Sequence, residues 1–380
     1  MNPDGSVKDD SFRYPTEDIP MKSWLLTGRN SLAHPSVVFR NSILLRTGGY
    51  DDTYPIAEDH HLWLRCIRWF NFCNIDEVLL DYLENQIYRA YCDVIKIKKK
   101  DVNKVEEIPF LPVNFFKTHN LNSSKKQPDI KFVSSRTTSQ KGSTHLINDV
   151  DIYIRSFEKG FEYFYGNIED YVILALLPNY VEQKNSSLVY MIDRLIKKTK
   201  RKESGFYLDD WNDLRKQLDY LENKGQKTIL FGVTFALIKG AKKYNWNLKN
   251  TIIMETGGMK GMHKELIRSE LHDILKKSFS VSHIHSEYGM TEILRQAYSS
   301  GDGFFKCPPW MRVYTRSVED PFEILGNKKT GAINIIDLAN IDSCGFIATQ
   351  DLGKLNEKGC FEILGRFDNS EIRGCNLLVI

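Results

Sequence analysis

The chain has 380 residues, of which 42% are apolar and 27% charged, with a formal net charge of +3. That length holds two domains, or one large domain with an appendage, and the composition is that of a folded globular protein rather than a disordered one. So small a basic excess, with aromatic residues spread along the chain rather than interleaved with a basic face, argues against nucleic-acid binding. Residues Met1 to Asp10 are polar and acidic and lack the apolar core of a secretory signal. Apolar runs such as Tyr171 to Pro178 fall far short of a bilayer span, so a soluble protein with no transmembrane segment is expected. The seven cysteines, at 66, 73, 92, 307, 344, 360 and 375, show no paired short spacings. A reduced cytoplasmic setting fits them better than a disulfide framework or a zinc site.

The first eighty or so residues carry Ala33-His34-Pro35-Ser36-Val37-Val38-Phe39-Arg40, then Gly48-Gly49-Tyr50, then a run from Ala57 through Glu58-Asp59-His60-His61 to Arg65. Together these resemble the closing third of a family 2 glycosyltransferase, an α/β protein. There, the resemblance implies, the pair matching Glu58-Asp59 supplies a base that deprotonates the acceptor hydroxyl. The nucleotide-binding half that the resemblance would place first is not expected in this sequence, since the residues ahead of this segment are too few for its βαβ units. His60 and His61 suggest a metal, yet adjacent helical residues point about 100° apart and do not readily share one ion. Residues 1–83 therefore read as a glycosyltransferase-like C-terminal fragment, with a seam at Asp81 to Gln86.

From Gln86 the pattern is continuous. A helix is predicted over Ile87 to Ile97, ending in the basic run Lys96 to Lys100, and the prolines of Ile108 to Val113 force extended backbone. Residues Asn120 to Asp129 read as a polar loop. Strands follow at Tyr171 to Leu177, Lys227 to Gly232, Thr251 to Glu255 and Val281 to His285. Helices are predicted between them near 187–200, 210–224, 234–244 and 262–277. That alternation implies an α/β fold with a mainly parallel sheet flanked by helices. After Gly301 short strands and turns predict a β-rich C-terminal part, with Asn356-Glu357-Lys358-Gly359 as a hairpin turn.

The stretch His285-Ser286-Glu287-Tyr288-Gly289-Met290-Thr291-Glu292 sits between an apolar alternating run and Ile293 to Tyr298, read as amphipathic helix. It is therefore expected to be a strand-to-helix loop, the end of an α/β sheet where ligands bind. Thr291 offers a hydroxyl to a phosphate oxygen, and Glu292 a hard carboxylate for Mg²⁺ held jointly with substrate phosphates. Tyr288 offers a flat face to a base, and Gly289 allows close backbone approach. The same spacing also suits a tight turn before an acidic first helical turn.

Tyr-Gly-x-Thr-Glu resembles the core motif of adenylate-forming enzymes. The text from Glu255-Thr256-Gly257-Gly258-Met259-Lys260-Gly261 through His285 to Glu292 resembles their acyl-protein synthetase branch, which supplies the fatty-acid-activating component of bacterial luminescence reductase complexes. The resemblance covers roughly residues 84–380, and its motifs are specific as a set. It places the phosphate loop at Ser134, Ser135, Arg136, Thr137, Thr138, Ser139 and onward to Lys141. Arg136 and Ser139 stand where the family has glycines that let backbone N–H groups wrap the phosphates. It further implies that Gly257 and Gly258 wall the acyl and adenine site, that Asp351 in Thr349-Gln350-Asp351-Leu352-Gly353 holds the ribose hydroxyls, and that Arg366 in Gly365-Arg366-Phe367-Asp368 reaches the ribose or phosphates. Cys375, beside Arg373, matches the near-terminal cysteine that accepts the acyl group as a thiolate. A buried small residue is the ordinary alternative for such a cysteine.

The function implied is ATP- and Mg²⁺-dependent activation of a fatty or other carboxylic acid, with transfer to Cys375 or to an acyl-accepting reductase or carrier protein. The altered phosphate loop keeps a second reading open, a chimeric remnant that binds nucleotide or partner without turnover. Glycosyl transfer by residues 1–83 with a missing half is a third.

Overall fold

The computed structural model describes residues 18–26, 46–48, 58–66, 85–102, 104–134, 142–177, 184–208, 210–257 and 267–366. The chain divides into two compact units, Met1–Asp81 and Tyr82–Ile380. In the first, helices α1 (Asp18–Leu26) and α2 (Glu58–Cys66) bury Met21, Leu25, Leu62, Trp63 and Cys66.

The second unit opens with α3 (Gln86–Val94), whose Asn85 cap accepts hydrogen bonds from the backbone of Ile87 and Tyr88. The helix stops three residues before the predicted end, because Lys96 takes a left-handed conformation with φ 60°. After β1 (Leu111–Pro112) and the one-turn α4 (Phe115–Thr118), an antiparallel hairpin forms from β2 (Ile130–Val133) and β3 (Thr144–Ile147). Helix α5 (Val150–Tyr165) follows, capped by Asp149.

A six-stranded sheet then builds up in the order β5-β4-β6-β7-β8-β9. Its strands are β4 (Val172–Leu176), β5 (Gly205–Phe206), β6 (Thr228–Val233), β7 (Thr251–Thr256), β8 (Ile284–Tyr288) and β9 (Ala297–Ser299). All neighbours are parallel except β8 and β9. The connecting helices are α6 (Ser187–Thr199), α7 (Trp211–Asn223), α8 (Thr234–Lys243) and α9 (Arg268–Phe279). Every residue of β4 is buried, as a strand covered on both faces requires. Ile173 and Ala175 pack with Tyr153, Phe157 and Ile192 of α5 and α6, whereas Val172, Leu174 and Leu176 pack with Trp211, Leu214, Leu237 and Leu275 of α7, α8 and α9. Alternation of side chains along one apolar strand thus feeds two cores.

The second sheet orders as β1-β13-β12-β10-β11, from β10 (Met311–Arg316), β11 (Ile324–Leu325), β12 (Gly331–Asp337) and β13 (Phe346–Leu355), with β14 (Phe361–Arg366) also on β13. Only the β1–β13 pairing is parallel. The β13–β14 turn is the expected one: Asn356 Oδ1 accepts from the backbone of Lys358 and Cys360. Among the described residues no helix is long and apolar enough to cross a membrane.

Two expectations are corrected. The fourth strand runs over 284–288 rather than 281–285, so His285 to Tyr288 belong to a strand and not to a loop. Residues 293–298 are also not a helix: a turn at Thr291-Glu292 leads to irregular chain and then β9. The helix-like spacing has another cause. Ile293 and Ala297 enter the core around Phe305 and Phe361, while Leu294 and Tyr298 enter the core around Phe157. An amphipathic helix would leave one face in water, but this segment is gripped from two sides, with the Leu294 amide donating to Asp337 Oδ2 at 2.7 Å.

Candidate active site

At the carboxyl ends of β7 and β8, Glu255 stands opposite Ser286 and Thr256 opposite Glu287. Glu255 faces α8 and α9: its carboxylate takes Arg268 Nη1 at 2.8 Å and the Thr234 hydroxyl at 3.2 Å, with His272 Nε2 at 3.7 Å. Burial alone would lift this carboxyl, but His272, Arg268 and Ser286 outweigh it and hold the pKa below the usual value. Glu287 points to the other face, where the Thr256 hydroxyl donates to Oε2. Burial pushes Glu287 up to about 7, with the Glu255 charge adding to the rise and Thr256 opposing it.

Gly289 follows from this arrangement, because a Cβ there would lie 2.5 Å from Glu287 Oε1. The motif's glycine makes room first for a neighbouring carboxylate. Tyr288 is not an open platform for a base. Its ring is buried against Phe305 and Phe361, with centroids at 5.7 and 5.3 Å, and its hydroxyl donates to Asp351 Oδ2 at 2.7 Å. Asp351 and Arg366 are direct partners across β13 and β14, and Arg366 Nε lies 3.2 Å from Asp351 Oδ1. Residues 288, 351 and 366, far apart in sequence, therefore form one chain of bonds.

Gly257 directly follows β7, with φ 73°, a left-handed conformation that glycine adopts cheaply. Its carbonyl accepts from the Thr234 hydroxyl at 3.0 Å. Ser134 closes the base of the candidate phosphate loop: its hydroxyl accepts from the Ser143 amide at 2.8 Å, and its amide donates to the Ser143 carbonyl at 3.0 Å. Ser135, Arg136, Thr137, Thr138, Ser139, Gly258 and Cys375 lie outside the described residues. His285 Nδ1 meets the Tyr165 hydroxyl at 3.1 Å, and burial, aided by His283, pulls the ring down to about 4.

Thr291 and Glu292 form the turn after β8. Glu292 is 8% exposed, and its carboxylate has no hydrogen-bonding or ionic partner among the described residues. A carboxylate without a protein partner, on a residue that is otherwise mostly buried, suits a hard cation that keeps water and phosphate ligands and asks the protein for one or two oxygens. Among the described residues no three His, Cys, Asp or Glu converge to hold a metal by protein ligands alone.

Sequence reasoning missed His145, Asn340 and Ser343, which surround this turn. His145 Nδ1 lies 2.8 Å from the Thr291 carbonyl oxygen, and Asn340 Nδ2 donates to the Glu292 carbonyl at 2.9 Å. No spacing signal marks them, since their partners are distant in sequence. Glu287 was visible inside the quoted stretch, but its burial was not.

A mainly parallel sheet whose β8 end leads into Tyr288-Gly289-Met290-Thr291-Glu292, with Tyr288 bonded onward to Asp351 and Arg366, makes this an α/β protein with its motif residues gathered at one end of the sheet. The chain belongs to the acyl-protein synthetase family LuxE, which matches residues 67–380. That match begins inside the segment read as glycosyltransferase-like. Among solved structures, the chain is similar to ATP-bound MatB from Rhodopseudomonas palustris, at 18% identity and a TM-score of 0.48 over 64% of this chain and 49% of that one. It is also similar to the O-succinylbenzoate coenzyme A synthetase MenE from Bacillus subtilis with ATP and magnesium, at 16% identity and a TM-score of 0.45 over 62% and 49%. A long-chain-fatty-acid-CoA ligase from Archaeoglobus fulgidus matches at 15% identity and a TM-score of 0.44 over 62% and 50%. The chain thus spans about half the length of these proteins. No curated protein matches it in sequence.

Proposed function

We propose that this protein activates a carboxylic acid, a fatty acid above all, as its acyl-adenylate, and passes the acyl group to Cys375 or to an acyl-accepting reductase or carrier protein. The observation that carries the reading, beside family membership, is the bonded chain Tyr288–Asp351–Arg366, together with the carboxylate of Glu292, unpartnered among the described residues, in the turn that follows β8. In the first step a substrate carboxylate oxygen attacks the α-phosphorus of ATP; the bond to the β-phosphate oxygen breaks and pyrophosphate leaves. In the second, a thiolate attacks the acyl carbonyl carbon and AMP departs with the bonding pair. Asp351 and Arg366 orient the ribose end of the nucleotide, Thr291 meets a phosphate oxygen, and Ser134 holds the phosphate loop closed at its base. Glu292 is the residue that would hold Mg²⁺, whose contribution there is to neutralise phosphate charge.

A second reading has its own support. Arg136 and Ser139 replace the glycines of the family's phosphate loop, which favours a remnant that binds nucleotide or partner without turnover. ATP–pyrophosphate exchange with a series of fatty acids tests the first reading, and nucleotide binding without exchange would replace it by the second. Consumption of a UDP-sugar is what the weaker glycosyltransferase reading of residues 1–83 requires. Limited proteolysis checks the two-module division, with first cleavage expected near residues 81–86. A cytoplasmic setting, where thiols stay reduced, completes the proposal.

A further inference from the structure

One buried side chain connects the β2–β3 hairpin to the Thr291–Glu292 turn. His145 stands opposite Phe132 in the hairpin, two residues beyond Ser143, and is 1% exposed. A carbonyl oxygen only accepts, so His145 Nδ1 carries the proton and donates to Thr291. Burial pulls the ring down to about 4, against the opposing pull of Thr291 and Asn340, so the imidazole is neutral and Nε2 is an acceptor. Nε2 and Asn340 Oδ1, 3.0 Å apart, are both acceptors and share the single hydroxyl proton of Ser343, whose Oγ lies 3.0 Å from Nε2 and closer still to Oδ1.

Asn340 completes the arrangement by donating from Nδ2 to the Glu292 carbonyl at 2.9 Å. The Ser343 carbonyl is itself held by Asn85 Nδ2 at 2.9 Å, and Phe116 packs edge-on against the imidazole at 5.3 Å. Two successive carbonyls of the motif are thus each gripped by a buried side chain, and both side chains meet at Ser343. The His145 Nδ1–H, the Asn340 amide and the Ser343 hydroxyl each find an acceptor inside this cluster, which limits how far its geometry can drift.

We propose that His145 is a positioning residue: acting with Asn340 and Ser343, it fixes the Thr291–Glu292 peptide against the β2–β3 hairpin. This rests on the reading of Thr291 and Glu292 as part of an ATP site. Positioning of this kind matters because a displacement of about 1 Å is enough to cost on the order of a hundredfold in rate.

The test compares wild type with H145N and H145Q. Asparagine places its amide nitrogen where Nδ1 was and keeps the bond to Thr291, whereas glutamine reaches toward Asn340 and Ser343 and leaves Thr291 unserved. In ATP–pyrophosphate exchange, H145Q should lose about tenfold or more in maximal rate and raise KM for ATP, with KM for the fatty acid unchanged. H145N should stay within about threefold of wild type. Melting temperatures of both variants identify any loss that only reflects unfolding. Calorimetric titration with MgATP gives a second readout, in which H145Q binds at least fivefold more weakly and H145N binds as wild type. Equal behaviour of the two variants, or a matching change in KM for the acid, overturns the inference. If wild type binds MgATP but does not exchange, adenylation fails and the titration alone decides the role of His145. If wild type does neither, both proposals fall.

Discussion

Replacing Glu287 by glutamine is expected to stabilise the protein, and to do so progressively as pH rises from about 5 to 8. Burial lifts this carboxyl from its ordinary 4.5 to about 7 in the folded protein. Below pH 4.5 it is protonated in both the folded and the unfolded chain, and no penalty applies. Between the two values the unfolded chain releases a proton that the folded chain keeps, so the unfolded state binds fewer protons and stability falls as pH rises. Above about 7 the penalty is complete, at roughly 3 kcal/mol for a shift of this size. Glutamine keeps an acceptor for the Thr256 hydroxyl and carries no charge at any pH. The stability difference between E287Q and wild type should grow from about 1 kcal/mol at pH 5 to about 3 at pH 8, or roughly 6 °C in melting temperature. Urea unfolding at several pH values measures it directly. A difference that stays flat with pH, or a variant less stable than wild type at pH 8, would refute the argument that Glu287 is held protonated by burial.

Four other outcomes are expected. E292Q, which keeps the shape and removes the charge at the candidate cation site, should abolish MgATP binding; an unchanged affinity by calorimetry removes the site assignment. Y288F, which removes the hydroxyl bonded at 2.7 Å to Asp351 and leaves the ring among Phe305 and Phe361, should cost about 1.5–3 kcal/mol of stability in urea unfolding. N85A takes away both the α3 cap and the donor to the Ser343 carbonyl, and should cost about 2–4 kcal/mol by the same measurement. The double change R136G with S139G should raise ATP–pyrophosphate exchange by one or more orders of magnitude, since strained non-glycine positions cost about 1–3 kcal/mol each; no gain over an already active wild type would make Arg136 a phosphate ligand.

The parts of the fold that could be read from sequence are those whose reason is local. Strands β4, β6 and β7 are short apolar runs between polar turns, and the helices between them carry caps such as Ser186 and Asp210 that write their own starting points. Strand β8 lies three residues beyond the predicted span because its middle, His285-Ser286-Glu287, is polar. What allows it inside the sheet is supplied from elsewhere, by Tyr165 for His285, His272 for Ser286 and Thr256 for Glu287. The segment 293–298 misled for a related reason: its four-residue spacing is real, but the two pairs serve different cores, and a sequence does not state how many cores surround it.

The same distinction separates what was and was not legible in the site. Tyr288, Asp351 and Arg366 could be singled out because their residue types and order match a motif, yet that reasoning assigned Tyr288 an open aromatic face. Which face of a tyrosine is free depends on Phe305 and Phe361, and these come from segments with no motif of their own. His145 is the extreme case. It lies in a four-residue strand, and its partners Thr291, Asn340 and Ser343 are 146, 195 and 198 residues away. An isolated histidine in a strand reads as a core residue, and by burial it is one. Only the carbonyls it faces connect it to the chemistry, and backbone carbonyls have no residue type for a sequence to display.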